Sequence, residues 1–311
     1  MPAEAAAPAR DALPRYRSAD DLDDALRLLA QDRWTPLAGG TDFYPARVGR
    51  PVSESLLDLS AVEELRGITR ATGADGMPVL RIGASTPWSA IARCAPDARF
   101  AALRQAAREI GGIQVQNRAT IGGNLCNASP AADGVPALLA LDARLELASL
   151  RARRRLAVDE FVLGNRRTAL APDELLVAIE LPLPSPRARS GFLKLGHRHS
   201  LVISIAMVAV ALDFDAHDRL ERCAIAVGSC SAAAVRLRTL ESRLLRTPRP
   251  ALAQRFEALL GEETLAPLQP IDDVRGTAAY RRHAAVELTR RLVAELALED
   301  GAAVASPRIG D

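Results

Sequence analysis

Apolar residues recur at helical spacing over Leu22, Ala25, Leu26 and Leu29. The polar run Ser18-Ala19-Asp20-Asp21 ahead of them predicts a capping box with Asp in place of Glu. Residues 34–38 and 56–59 read as short strands, and 68–70 with 79–82 flank Asp75-Gly76 in the pattern of a hairpin with a long turn. Helices are expected over 87–93 and 97–110, the second stopped by Gly111-Gly112. A short apolar helix within 135–141 precedes strands at 144–148 and 175–181. The prolines of Leu181-Pro182-Leu183-Pro184-Ser185-Pro186 continue neither sheet nor helix and mark a domain boundary. Beyond them, 201–214 and 223–227 read as strands joined by the polar turn Asp215-Ala216-His217-Asp218. Helices follow at 232–245, 251–260 and 277–298, the last with Ala284, Val286, Leu288, Leu292, Val293 and Leu296 on one broad face. The succession predicts an α+β chain with flexible tails at 1–14 and 299–311 and two domains between them, 15–185 and 186–298.

With 311 residues, 49% of them hydrophobic, the chain can bury a large core. Its 40 basic and 38 acidic residues leave a formal charge of +2. The densest basic run, 151–155, reads as a solvated turn, so no nucleic-acid partner is expected. The longest apolar stretch, 201–212, is interrupted by Ser204 and is too short to span a bilayer; no membrane insertion is expected. Residues 1–15 lack the apolar core of a secretory signal. Cys94, Cys126, Cys223 and Cys230 form no C-x-x-C pair, which fits reduced thiols in a cytoplasmic protein.

Two glycine-rich segments carry the strongest chemical signal. Leu37-Ala38-Gly39-Gly40-Thr41-Asp42 follows a strand. Ala119-Thr120-Ile121-Gly122-Gly123-Asn124 continues as Leu125-Cys126-Asn127-Ala128-Ser129-Pro130 toward Asp133. Both are expected to be loops after extended chain, with Cys126 packed beneath the second. Glycine permits positive φ and close backbone approach, and successive amides turned toward one point form a nest for anions. Two such loops, each followed by a small polar residue (Thr41, Asn124), predict the two sides of one bound diphosphate. Lys194 is the only lysine among 40 basic residues. An ammonium and a guanidinium are not interchangeable in a tight site, so Lys194 is a candidate functional residue. No G-x-G-x-x-G, P-loop, G-x-S-x-G or H-E-x-x-H pattern occurs. His197 and His199 straddle Arg198 with no cysteine or carboxylate beside them, so no metal site is assigned. No acid–base–nucleophile set is assigned either.

The glycine segments resemble the pyrophosphate loops of the FAD-binding, or medium, subunit of the molybdenum hydroxylases, the group of xanthine dehydrogenase and carbon monoxide dehydrogenase. Gly191-Phe192-Leu193-Lys194, Asp272-Asp273-Val274-Arg275-Gly276 and Tyr280-Arg281-Arg282 resemble its C-terminal domain, so the likeness runs from about 15 to 295. The resemblance implies a two-subdomain PCMH-type FAD-binding domain followed by a smaller α+β C-terminal domain of antiparallel sheet plus helices. It implies that Leu37, Ala38, Gly39, Gly40, Thr41 and Asp42, together with Ala119, Thr120, Ile121, Gly122, Gly123, Asn124 and Leu125, cradle the FAD diphosphate through amides and hydroxyls. Asp133 would contact the cofactor's arm. Ile110 and Gly111 would line the isoalloxazine pocket, with Leu176 packing from the other side and Lys194 placing positive charge near the flavin's polar edge. The implied partners are a small [2Fe-2S] subunit and a large molybdopterin subunit in a dimer of heterotrimers, with electrons leaving through this flavin to an external acceptor. Where NAD-using relatives carry an acidic stretch, Gly196-His197-Arg198-His199-Ser200-Leu201-Val202 has no acid, which argues against NAD. No cysteine-bearing insertion for an extra [4Fe-4S] cluster is present. The alternative is a stand-alone FAD-dependent oxidase or reductase of the same superfold. It often attaches flavin through a histidine, and none of the four histidines adjoins either glycine segment.

Overall fold

Strand β1 (Tyr16–Ser18) leads into helix α1 (Leu22–Gln31), whose cap is Asp21 rather than the expected Ser18; the Asp21 carboxylate accepts the Asp24 amide at 2.7 Å. The computed structural model describes residues 14–94, 97–198 and 202–298; the expected tails lie outside these residues, apart from residue 14. Leu22, Ala25, Leu26 and Leu29 are buried as their spacing predicts. Strands β2 (Thr35–Leu37) and β3 (Leu56–Asp58) join β1 in a parallel sheet of order β1–β3–β2. The first glycine pair leaves the end of β2.

A second subdomain begins with the hairpin β4 (Ile68–Thr72) and β5 (Pro78–Gly83). Five helices then run in series: α2 (Trp88–Ala92), α3 (Ala101–Glu109), α4 (Ile113–Arg118), α5 (Ile121–Asn127) and α6 (Gly134–Ala140). Strands β6 (Arg144–Ala148) and β7 (Arg153–Ala157), helix α7 (Val158–Phe161), the small pair β8 (Val162–Gly164) and β9 (Arg167–Thr168), and β10 (Leu175–Pro182) complete it. The sheet is antiparallel in the order β4–β5–β10–β6–β7.

The arginine run expected to be a solvated turn is an edge strand for most of its length. Arg153 reaches Glu146 at 2.7 Å, Arg154 reaches Glu174 at 2.7 Å and Arg155 reaches Glu180 at 3.1 Å. Charge along an edge also discourages pairing with another chain. Arg154 holds the Glu174 carboxyl below its ordinary value of 4.5 against the opposing effect of burial. Burial pushes Glu146 up, but Arg153 and Arg81 more than offset it. A carboxyl depressed in the folded state contributes stability above its unfolded pKa and loses it as pH falls through the lower folded value. The urea unfolding midpoint is therefore expected to fall on acidification below about pH 4.5, and Arg154→Met to flatten that fall. An acid limb of equal steepness in the variant would remove Glu174 from this account.

The last unit holds β11 (Arg189–Leu195), β12 (Ala206–Phe214), β13 (Leu220–Gly228) and β14 (Val235–Arg236), antiparallel and in that order. Helices α8 (Arg238–Leu244), α9 (Leu252–Leu259), α10 (Glu262–Leu265) and α11 (Ala278–Leu296) follow. The strand expected over 201–214 starts at Ala206, with residue 201 outside the described residues, and the helix expected at 232–245 is broken by β14. Side chains alternate across the sheet. Met207, Ala209 and Ala211 join the core shared with α3 and α6, whereas Val208, Val210 and Leu212 pack under α8, α9 and α11. Both faces are covered, which explains why the strand is apolar from Ala206 to Leu212. The same alternation puts Lys194 on the face of Phe192, toward the preceding domain. No helix among the described residues is long and apolar enough to cross a membrane.

Candidate functional site

Gly39 lies directly against the end of α4. A Cβ added there would stand 2.0 Å from the Arg118 carbonyl oxygen, so only glycine permits the approach. This contact draws the two glycine segments together. Between them opens a cleft of about 830 Å³, lined by Leu37, Ala38, Gly39, Gly40, Thr41, Asp42, Ile110, Gly111, Ala119, Thr120, Gly123, Asn124, Asp133 and Lys194. That volume lies within the usual range for small-molecule and cofactor sites.

The two segments contribute differently. In the first, Gly40 holds φ +71°, and among the described residues the amides of residues 39–43 donate to no other protein group. This row of free donors is available to an anion. The second segment is not a loop after extended chain. It follows α4 and forms the first turn of α5, with Thr120 as cap. Its amides are already taken. Ile121 donates to Thr86 O at 3.1 Å, Gly122 to Ala84 O at 2.8 Å, Gly123 to Thr120 Oγ1 at 3.0 Å and Asn124 to Thr120 O at 3.0 Å. Gly122 serves packing, because a Cβ there would meet Ala84 O at 2.7 Å. The amide cradle expected from residues 121–124 is therefore absent, and this side offers side chains instead. Asn124 Oδ1 is buried without a hydrogen-bond partner, as is Trp88 Nε1, and both residues line the cleft. Buried orphan groups are uncommon and call for a partner.

At the other end Lys194 Nζ donates to Asp133 Oδ2 at 2.7 Å and to Glu109 O at 3.3 Å, while Ser204 Oγ donates to Asp133 Oδ1 at 2.5 Å. The Lys194 and Asp133 side chains are only 6% and 9% exposed. Burial pushes the Asp133 carboxyl up, opposed by Lys194 and Ser204. Lys194 and Asp133, each expected at the cofactor, thus form one buried pair. Gly111, at φ +55°, turns the chain out of α3 so that Ile110 and Gly111 border this end.

Ile121, Gly122, Leu125 and Leu176 do not line the cleft. Ile121, Leu125 and Leu176 belong to the core beneath it, Leu176 on β10. Cys126 is not packed under the segment; it is exposed on the cleft wall. Sequence reasoning missed Arg47, stacked 3.7 Å over Phe43, and Arg166, which donates to Asn127 Oδ1; both line the cleft. It also missed Ser204, whose signal was its interruption of the apolar run. Of the acid-free stretch 196–202, residues 199–201 lie outside the described residues.

The donor set suits a dinucleotide with a diphosphate. Free amides and the Arg166 guanidinium match phosphate oxygens, the Arg47 guanidinium adds positive charge although it is paired with Glu54, a buried amide oxygen awaits a donor, and Gly39 and Gly40 let the ligand approach the backbone. Residues 11–184 match the family described as the FAD binding domain in molybdopterin dehydrogenase, and 192–296 match the CO dehydrogenase flavoprotein C-terminal domain. The chain is 31% identical over 288 residues to the xanthine dehydrogenase FAD-binding subunit of Escherichia coli O157:H7, covering 90% of this chain and 94% of that one. It is 29% identical over 282 residues to the carbon monoxide dehydrogenase medium chain of Hydrogenophaga pseudoflava, covering 89% and 94%. A chain of the solved, reconstituted CO dehydrogenase from Oligotropha carboxidovorans superposes with a TM-score of 0.81 at 27% identity, over 92% of this chain and 98% of that one.

Proposed function

The chain belongs to the family of FAD-binding medium subunits of the xanthine and carbon monoxide dehydrogenase type, and we propose that it works there as the electron exit of a molybdenum hydroxylase complex. Electrons would arrive from the [2Fe-2S] clusters of a small partner subunit, after substrate oxidation in a large molybdopterin subunit, and leave to an external acceptor. On this reading 15–185 is the FAD-binding domain, 186–298 the C-terminal domain, and the assembly a cytoplasmic dimer of heterotrimers. Bound FAD supplies redox chemistry that links one-electron carriers to two-electron acceptors.

The observation that carries the proposal is one cleft lined both by the row of free amides at 39–43 and by the buried Lys194–Asp133 pair. The amides, with Arg47 and Arg166, would hold the diphosphate, and Thr120 and Asn124 would supply side-chain contacts opposite. Ile110, Gly111 and Lys194 would border the isoalloxazine ring. Charge-assisted hydrogen bonds contribute roughly 1.5–3 kcal/mol each, so several of them support tight, non-covalent binding after association costs of about 4–15 kcal/mol.

Purification from the native context tests this directly. The chain is expected to co-purify with two unlike subunits, and the flavin absorbance of the complex to bleach when the complex is reduced at its molybdenum centre. A chain that purifies alone and oxidises a substrate of its own would establish the stand-alone flavoenzyme instead.

A further inference from the structure

The segment 272–282 lies directly behind the buried end of the cleft. Arg281 on α11 is 3% exposed and does not line the cleft. Its Nη2 donates to Asp273 Oδ1 at 2.6 Å, and its Nη1 donates to Ile205 O at 2.7 Å and Ser229 O at 3.3 Å. Each carbonyl lies just outside a strand, Ile205 O before β12 and Ser229 O after β13, and each residue is bonded to a segment of the Lys194–Asp133–Ser204 cluster. Ile205 follows Ser204, and its own amide donates at 2.8 Å to the carbonyl of Leu195, next to Lys194. Ser229 donates its amide at 3.0 Å to Pro130 O, in the segment that leads to Asp133. Ser229 also holds φ +60°, which serine seldom adopts, so contacts on both sides must keep it there. Asp273 is fixed in turn, because its Oδ1 accepts the Arg275 amide at 2.7 Å and its backbone exchanges two bonds with Gly276 at 3.2 Å.

We propose that Arg281, anchored by Asp273, is a positioning residue. By joining the carbonyls of Ile205 and Ser229, its guanidinium sets the spacing between the arm that carries Ser204 and the arm that leads to Asp133. It thereby fixes the Lys194 ammonium at the cleft. A planar guanidinium with several directed donors suits this task, and an ammonium could bridge the same three acceptors only in part. The extension from this cluster to the flavin rests on the proposed function; the positioning of the cluster does not.

Lys194 is the only lysine, so lysine labelled with nitrogen-15 gives a single side-chain resonance from the full-length chain, with or without FAD. Arg281→Met is expected to speed exchange of the Lys194 ammonium protons about tenfold or more, the scale on which loss of an outer partner weakens a site. Asp273→Asn is expected to shift the exchange in the same sense by less, and Arg281→Lys to restore part of the protection. Leu288→Ala truncates a core residue on the same helix; it should lower the thermal midpoint and leave the resonance unchanged. Equal exchange in wild type and Arg281→Met overturns the inference, as does a Leu288→Ala chain that reproduces the change. Should Arg281→Met fail to fold, Asp273→Asn and Arg281→Lys decide by the same criterion. A chain that shows these changes but binds no FAD would uphold the positioning role and remove the functional reading, so the two fail separately.

Discussion

Lys194→Met is expected to lower the unfolding free energy by about 3–5 kcal/mol, the usual cost of leaving one member of a buried ion pair without its partner. The estimate follows from geometry. The pair is 2.7 Å apart with both side chains under a tenth exposed, so the ammonium shields the carboxylate from most solvent. Among the described residues Asp133 would then keep only the Ser204 hydroxyl as a side-chain donor. The pH dependence carries the sign. Burial already pushes the Asp133 carboxyl above its ordinary 3.8, and loss of Lys194 raises it further. A carboxyl raised in the folded state binds its proton more tightly there than in the unfolded chain. The deficit should therefore be smallest at acid pH and grow as pH rises through the folded value. Urea unfolding at several pH values reads this, and Lys194→Met with Asp133→Asn should recover most of the loss because Ser204 can donate equally to an amide oxygen. A single variant as stable as wild type at neutral pH would show that the pair is not formed.

Gly39→Ala is expected to abolish useful FAD binding while leaving the chain folded. The added methyl would sit 2.0 Å from Arg118 O and 2.7 Å from its carbon, both backbone atoms that cannot rotate aside. The loop must swing away, and the free amides of residues 39–43 are displaced with it. Losing two charge-assisted bonds of roughly 1.5–3 kcal/mol each weakens binding by about two to four orders of magnitude. Gly122→Ala is the instructive contrast. Its clash is with Ala84 beneath α5, so it should lower stability first and affinity only as a consequence. Calorimetric titration with FAD beside thermal unfolding separates the two. Gly39→Ala with wild-type affinity would take the first glycine pair out of the site.

These outcomes rest on features of unequal visibility in the sequence. The strands β6, β10, β12 and β13 were legible from their apolar runs, and α11 from its broad face. Strand β7 was not, because Arg153, Arg154 and Arg155 suit a strand only once Glu146, Glu174 and Glu180 are set against them, the first on the adjacent strand β6 and the last on β10 beyond it. Helix α5 was hidden for a related reason. A glycine pair disfavours helix, and this one is helical because Thr86 and Ala84 take its first amides and only glycine fits against Ala84. The free amides of the first loop followed directly from glycine chemistry. Lys194 was visible as a lone lysine, but its partner lies 61 residues away and no local pattern announces it. Arg47 and Arg166 were lost among many arginines whose charges serve surface ion pairs.

The central claim is that this cleft, with the 39–43 amides as its anion site, holds FAD. Titration of the deflavinated full-length chain with FAD, repeated with Gly39→Ala, tests it most directly. The expected result is one tightly bound FAD per wild-type chain, released intact on denaturation, and binding lost in a variant that still unfolds cooperatively. A wild-type chain that takes up no FAD, or a variant that binds it unchanged, would contradict it.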